Sequence, residues 1–143
     1  MRTIDGMPVA EFAFPGPVRD KLVAAILSGE KTATASLVRE YELEGSPLPQ
    51  LGGRSVVVDS HERPVGVIET TEVAVVRVGD VDEQFARDEG EGFESVADWR
   101  AAHERFWHGD EFRASIGEPA FTIDDRTQMV AERFRLVERF TST

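Results

Sequence analysis

The run Val65-Gly66-Val67-Ile68-Glu69-Thr70-Thr71-Glu72-Val73-Ala74-Val75-Val76-Arg77-Val78 constrains this chain more than any other stretch. It is rich in β-branched residues, lacks proline and has its one glycine near the start, so it reads as one long strand. Arg54 to Asp59 precedes it, with Val56, Val57 and Val58 too apolar in sequence to face water on both sides. The intervening Ser60-His61-Glu62-Arg63-Pro64 reads as a tight turn, which makes the two strands antiparallel neighbours. Met129 to Phe140 alternates with period two, setting Val130, Glu132, Phe134, Leu136 and Glu138 against Ala131, Arg133, Arg135, Val137 and Arg139. That pattern predicts a closing strand. Thr32 to Val38 has strand composition, with Arg39-Glu40-Tyr41-Glu42 continuing it or beginning a loop, and Ala120 to Arg126 reads as a further short strand. These strands predict a mainly antiparallel sheet curled into a small barrel.

Helical patterns flank the strands. Pro17 suits the first helical position, Val18, Leu22, Ala25 and Ile26 follow at helical spacing, and Gly29 is a natural stop. Asp80 with Glu83 suggests a cap ahead of Val81, Phe85 and Ala86. Ser95 with Asp98 caps a helix that carries Val96, Trp99, His103, Phe106 and Trp107. Gly45 to Gly53 is a loop by its Gly and Pro content, and His108 to Pro119 reads as a loop ordered around Phe112 and Ile116. The fold class is α+β, in one domain over residues 1–143. Residues 1–16 form an N-terminal arm packed on the domain through Phe12 and Phe14, and the last three residues are a tail.

The net charge of −11 excludes whole classes of partner. Affinity for long nucleic acid comes from neutralising many phosphates, and so acidic a surface repels a polyanion. DNA and anionic membranes are therefore not expected partners. A small nucleoside, or a short RNA reaching one local pocket, is compatible with the charge. There is no cysteine, hence no disulfide, thiolate metal site or cysteine nucleophile. No apolar run reaches membrane-spanning length and the N-terminus has no secretory pattern, so a cytoplasmic location is expected.

Ser28-Gly29-Glu30-Lys31-Thr32-Ala33-Thr34-Ala35-Ser36 concentrates a lysine and three hydroxyls where a helix gives way to a strand. Strand alternation puts Thr32, Thr34 and Ser36 on one side. An irregular first residue would swing the Lys31 amine toward the Thr34 hydroxyl. Lysine beside threonine can activate a nucleophile or clamp a phosphate, whereas the plainer reading is a helix stop followed by a Thr-rich strand. Asp88-Glu89-Gly90-Glu91 is a mobile acidic turn that could hold a general acid or base, or simply a solvated loop. Glu69 and Glu72 lie on the long strand, and one turned inward would need a partner. His103 and His108 are five apart, a spacing that splays two rings on a helix, so no built-in metal site is expected. Trp99, Phe106 and Trp107 fit a core better than a stacking platform.

Gly29-Glu30-Lys31-Thr32-Ala33-Thr34 carries the G-x-K-x-x-T signature of ASCH-domain proteins. Glu44 to Pro49, Val67 to Val73, Asp82 to Ala86, Glu89 to Gly92 and Trp99 to His103 also resemble one branch of that family. The similarity extends from about Pro17 to about Val137. It implies a PUA-like barrel with a cleft, and RNA or modified-nucleoside chemistry in it. One branch hydrolyses the acetyl amide of N(4)-acetylcytidine with a lysine, a threonine and a glutamate. By that resemblance these are Lys31 as base, Thr34 as nucleophile and Glu89 as the orienting or proton-shuttling carboxylate, with Glu91 the alternative if the alignment slips. Gly29, Thr32, Ser36, Glu69, Glu91 and Arg100 are the candidate substrate contacts. Another branch member resembles a metal-assisted ribonuclease, so a divalent ion is expected only in that case and no other cofactor is. A binding module without catalysis is the third reading. Expected partners are a nucleoside or short RNA, and a homodimer is compatible. Ala35-Ser36-Leu37 stands where the amidase branch has a charged, arginine-containing turn.

Overall fold

A computed structural model describes residues 2–140, and the expected three-residue tail lies outside them. The order is β1 (Thr3–Ile4), β2 (Met7–Ala10), α1 (Pro17–Ser28), β3 (Ala33–Leu37), α2 (Val38–Glu44), β4 (Arg54–Val58), β5 (Pro64–Arg77), α3 (Glu83–Asp88), α4 (Val96–Trp107), α5 (Asp110–Ile116) and β6 (Gln128–Arg139). The fold is α+β, as expected, with a six-stranded sheet in the order β1-β2-β4-β5-β6-β3. All pairings are antiparallel except β2 with β4. The long strand β5 is the spine. It pairs β4 on one side and β6 on the other, with register shifts at Val57/Val58, Val67/Ile68 and Thr70/Glu72. Such bulges raise the local twist and curl a sheet that would otherwise lie flat.

Two apolar clusters hold the layers. Trp99, Trp107, Phe85 and Phe112 of the later helices pack on Ala33, Leu37 and Met129. Leu22, Val23 and Ile26 of α1 pack on Val57, Ile68 and Phe134, with Phe12 from the N-terminal segment. That segment also adds β1 and β2 to the sheet.

Four local expectations are corrected. Residues 38–44 form a helix rather than the end of a strand or a loop. Glu40 reaches back to the Leu37 N–H at 2.8 Å, and Gly45 closes the last turn in a left-handed conformation. The segment expected as a loop around Phe112 contains α5, which has Asp110 and Glu111 in its first turn and Gly117 as a left-handed stop. Ala120 to Arg126 is not a strand. Side chains take its backbone groups instead: Arg113 Nε donates to Phe121 O at 2.8 Å, and the Ile123 N–H donates to His108 Nε2 at 3.0 Å. The cap of α3 is Asp82, which accepts from the Phe85 N–H, and not Asp80. No helix among the described residues is long and apolar enough to cross a membrane.

Ile26 is 1% exposed at the centre of the α1 layer. Replacing it with alanine is expected to cost about 2–5 kcal/mol, read as a lower urea midpoint with an unchanged slope.

Candidate functional site

The helix stop at Gly29 fixes where Lys31 emerges. Gly29 has φ 86°, and its N–H bonds Ile26 O at 3.1 Å. The chain then turns so that the Lys31 N–H bonds Ala25 O at 3.0 Å and the Thr32 N–H bonds Asp88 O at 2.8 Å. This ties the end of α1 to the end of α3. Lys31 is 2% exposed, and its Nζ donates to Ala33 O at 2.9 Å, Glu89 O at 3.1 Å and Glu91 Oε2 at 3.2 Å. Each of these partners can only accept, so the amine supplies three hydrogens and is an ammonium. Since β3 ends the sheet, its outer carbonyls have no strand partner. The ammonium occupies that edge.

Glu89 is 1% exposed and is held from every side. Its Oε1 lies 3.8 Å from Lys31 Nζ, while Oε2 accepts from Trp99 Nε1–H and lies 3.1 Å from His103 Nε2. His103 stacks on Trp99 with centroids 4.2 Å apart, and its Nδ1 lies 2.8 Å from Trp99 O. A carbonyl cannot donate, so Nδ1 carries a proton and a second one must lie between Nε2 and Glu89. Burial alone raises the Glu89 carboxyl. The hydrogen bond from His103, the charges of Lys31 and His103 and the Trp99 N–H outweigh it and hold the carboxyl below its ordinary value. Burial likewise depresses His103, but the hydrogen bond to Glu89 and its charge, with smaller help from Trp99 O and Glu91, leave the imidazole raised. The proton therefore belongs to His103, and the pair is ionic.

Gly90 makes this packing feasible. It has φ 66°, and a Cβ there would lie 2.4 Å from Glu30 O and 2.6 Å from Lys31 Cα. Only a residue without a side chain lets the acidic turn lie directly on the lysine backbone.

The structure brings Lys31, Glu89 and Glu91 together, and adds His103. It separates the other candidates. Thr34 is not among the hydrogen-bond partners of Lys31 Nζ, so the expected lysine–threonine pair is not made. Thr32 Oγ1 donates to Asp88 O at 3.4 Å, and Ser36 Oγ lies 2.8 Å from Tyr41 Oη. Glu69 pairs with Arg135 at 2.9 Å, and Arg100 with Glu104 and Asp125 at 2.7 Å each, all outside the Lys31 cluster. Gly29 contributes its backbone turn. His103 was hidden in the sequence because it reads as part of an apolar helix face. Its spacing of four from Trp99, with both lying downstream of an acidic turn, was the available signal.

Glu89, Glu91 and His103 each present a ligand atom within 4.8 Å of the others, a donor set of the right type for a divalent cation. The arrangement does not suit one. Lys31 Nζ already lies against both carboxylates, and His103 Nε2 holds a proton toward Glu89.

Stability should follow the ion pair. Glu89 contributes above the unfolded carboxyl value of about 4.3 and loses its contribution as the pH falls through its lower folded value. His103 contributes fully below about pH 6.5 and loses its contribution as the pH rises through its higher folded value. Urea midpoints measured from pH 6 to pH 9 are therefore expected to fall for the wild type and to stay flat for His103→Gln. The close contact and positive φ at Gly90 predict that Gly90→Ala lowers the urea midpoint, whereas Gly→Ala at an unstrained exposed site raises stability by about 0.4–1 kcal/mol.

The family model of the ASCH domain matches residues 11–138. No curated protein matches the chain in sequence. A crystal structure of a protein from Enterococcus faecalis is 27% identical, with a TM-score of 0.79, covering 94% of this chain and 78% of that one. A crystal structure of an ASCH domain from Lactobacillus crispatus is 32% identical, with a TM-score of 0.72, covering 84% of this chain and 72% of that one. Sequence match and fold agree along nearly the whole length, and the chain belongs to the ASCH domain family.

Proposed function

We propose that this protein is a hydrolase that cleaves an acyl amide on a modified nucleoside or a short RNA, at the outer edge of β3. The observation that carries the reading is the position of the Lys31 ammonium. It is bound to Ala33 O, the carbonyl immediately before Thr34, so the charge sits on the backbone edge one residue from the position that carries the motif's threonine. The role of base does not suit a lysine that already donates three hydrogen bonds. A fixed cation suits stabilisation of the oxyanion that forms when a carbonyl carbon is attacked. Of its three partners only the Glu91 carboxylate reaches the surface, at 22% side-chain exposure against 1% for Glu89. A substrate carbonyl would displace Glu91 and leave Glu89 as the fixed counter-charge.

In this reading Thr34 Oγ attacks the acyl carbon, the C–N bond breaks, and water then hydrolyses the threonine ester. The net charge of −11 supports a small substrate over long RNA. The metal-assisted ribonuclease reading is the weaker one, because Lys31 stands where a divalent cation would have to sit.

Wild-type protein should release acid from an acylated cytidine, followed by chromatography of the cytidine product. Thr34→Ala should abolish turnover without changing the urea midpoint, because Thr34 is only half-buried. Lys31→Met should lower kcat by about 10²–10³-fold. Full activity in Thr34→Ala would rule out the nucleophile.

A further inference from the structure

Lys31 already donates three hydrogen bonds, and the ladder partner of Thr34 is a carboxylate that can take its proton. We infer that Glu132 of β6 is the general base that activates Thr34, an inference that rests on the acyl-hydrolase reading above. Thr34 and Glu132 are direct partners in the antiparallel β3–β6 ladder. Directly opposed side chains share a face with their Cβ atoms about 5 Å apart. The ladder register is regular from Ala33–Arg133 to Leu37–Met129, so no bulge turns either side chain away.

The surroundings of Glu132 are those of a base rather than of a structural ion. On its face of β6 it stands between Val130 and Phe134, both buried. Phe134 is covered by α1 and Phe12. Ser36, the register partner of Val130, meets Tyr41 of α2. Glu132 therefore lies between the part of this face covered by α1 and the part beside α2, and is half-buried. Thr70 Oγ1 donates to its Oε2 at 2.7 Å, which fixes the carboxylate and leaves Oε1 for Thr34. Burial raises the carboxyl, the Thr70 hydrogen bond opposes this only in part, and no cation contributes. A carboxylate with raised proton affinity is a stronger base and is better matched to neutral pH. Beside it, the Tyr41 phenol is pushed up to about 12 by burial, so it stays neutral and does not compete for the proton.

The Glu132 carboxylate takes the Oγ proton as Oγ bonds to the acyl carbon. The carboxylic acid then returns that proton to the leaving nitrogen as the C–N bond breaks. For the second half, Glu132 takes a proton from water, the resulting oxygen attacks the threonine ester, and Thr34 Oγ leaves with the proton.

Para-nitrophenyl acetate, an activated acyl donor, tests this without a natural substrate. Peptide mapping by mass spectrometry should find acetyl on Thr34 in the wild type. Glu132→Gln keeps the shape and can still accept from Thr70. It should acylate Thr34 about 10²–10⁴-fold more slowly, and turn over an acylated cytidine slower by a similar factor. An unchanged urea midpoint would show that it is folded. Wild-type rates of both reactions in Glu132→Gln would overturn the role of Glu132 while leaving the hydrolase reading intact. Absence of acylation and of turnover in the wild type would overturn both.

Discussion

Lys31 is a cation buried at the rim of a sheet, and the arrangement around it depends on how its three hydrogens are satisfied. Ala33 O, Glu89 O and Glu91 Oε2 take one each. These acceptors come from β3 and from the acidic turn after α3, so the lysine joins two elements far apart in sequence. A lone charge at 2% exposure would cost several kcal/mol. The carboxylates of Glu91 at 3.2 Å and Glu89 at 3.8 Å supply the counter-charge, and Glu89 in turn needs Trp99 and His103. The aromatic core of α4 is thereby linked to the motif at the end of α1. Removing one member leaves an uncompensated buried charge, typically worth about 3–5 kcal/mol.

This network divides labour along β3. Its inner face, with Ala33 and Leu37, belongs to the helix-covered core. The edge carries the ammonium. The other face presents Thr34 and Ser36 toward Glu132, Thr70 and Tyr41. A sheet strand can serve three environments at once because successive side chains alternate while the backbone edge remains separate from both. In the proposed reaction, charge, hydroxyl and base need not touch one another in the resting protein.

The long strands were legible because their β-branched runs admit little else, and the α1 stop because Gly29 adopts a left-handed conformation that few residues tolerate. Helix α2 was not legible. It has seven residues, and what fixes it is a back-bond from Glu40 and the turn at Gly45, neither of which leaves a periodic trace. Ala120 to Arg126 has strand composition but no strand partner, since side chains of Arg113 and His108 occupy its backbone groups. In the site, Lys31 and Glu89 could be named from the motif and the resemblance. Glu69 and Arg100 could not be excluded by sequence, because only the fold shows that each is consumed by ion pairs elsewhere. Glu132 was visible as the polar member of the Val130, Phe134 and Leu136 face, but its register with Thr34 is a tertiary fact.

The buried network is ionic, with Glu89 charged and His103 doubly protonated beside the Lys31 ammonium. Nitrogen-15 NMR of the His103 ring tests it most directly. Both ring nitrogens are expected to carry protons at neutral pH, with a titration midpoint above the ordinary histidine value of about 6.5. A neutral ring at pH 7, with a midpoint at or below that value, would contradict it.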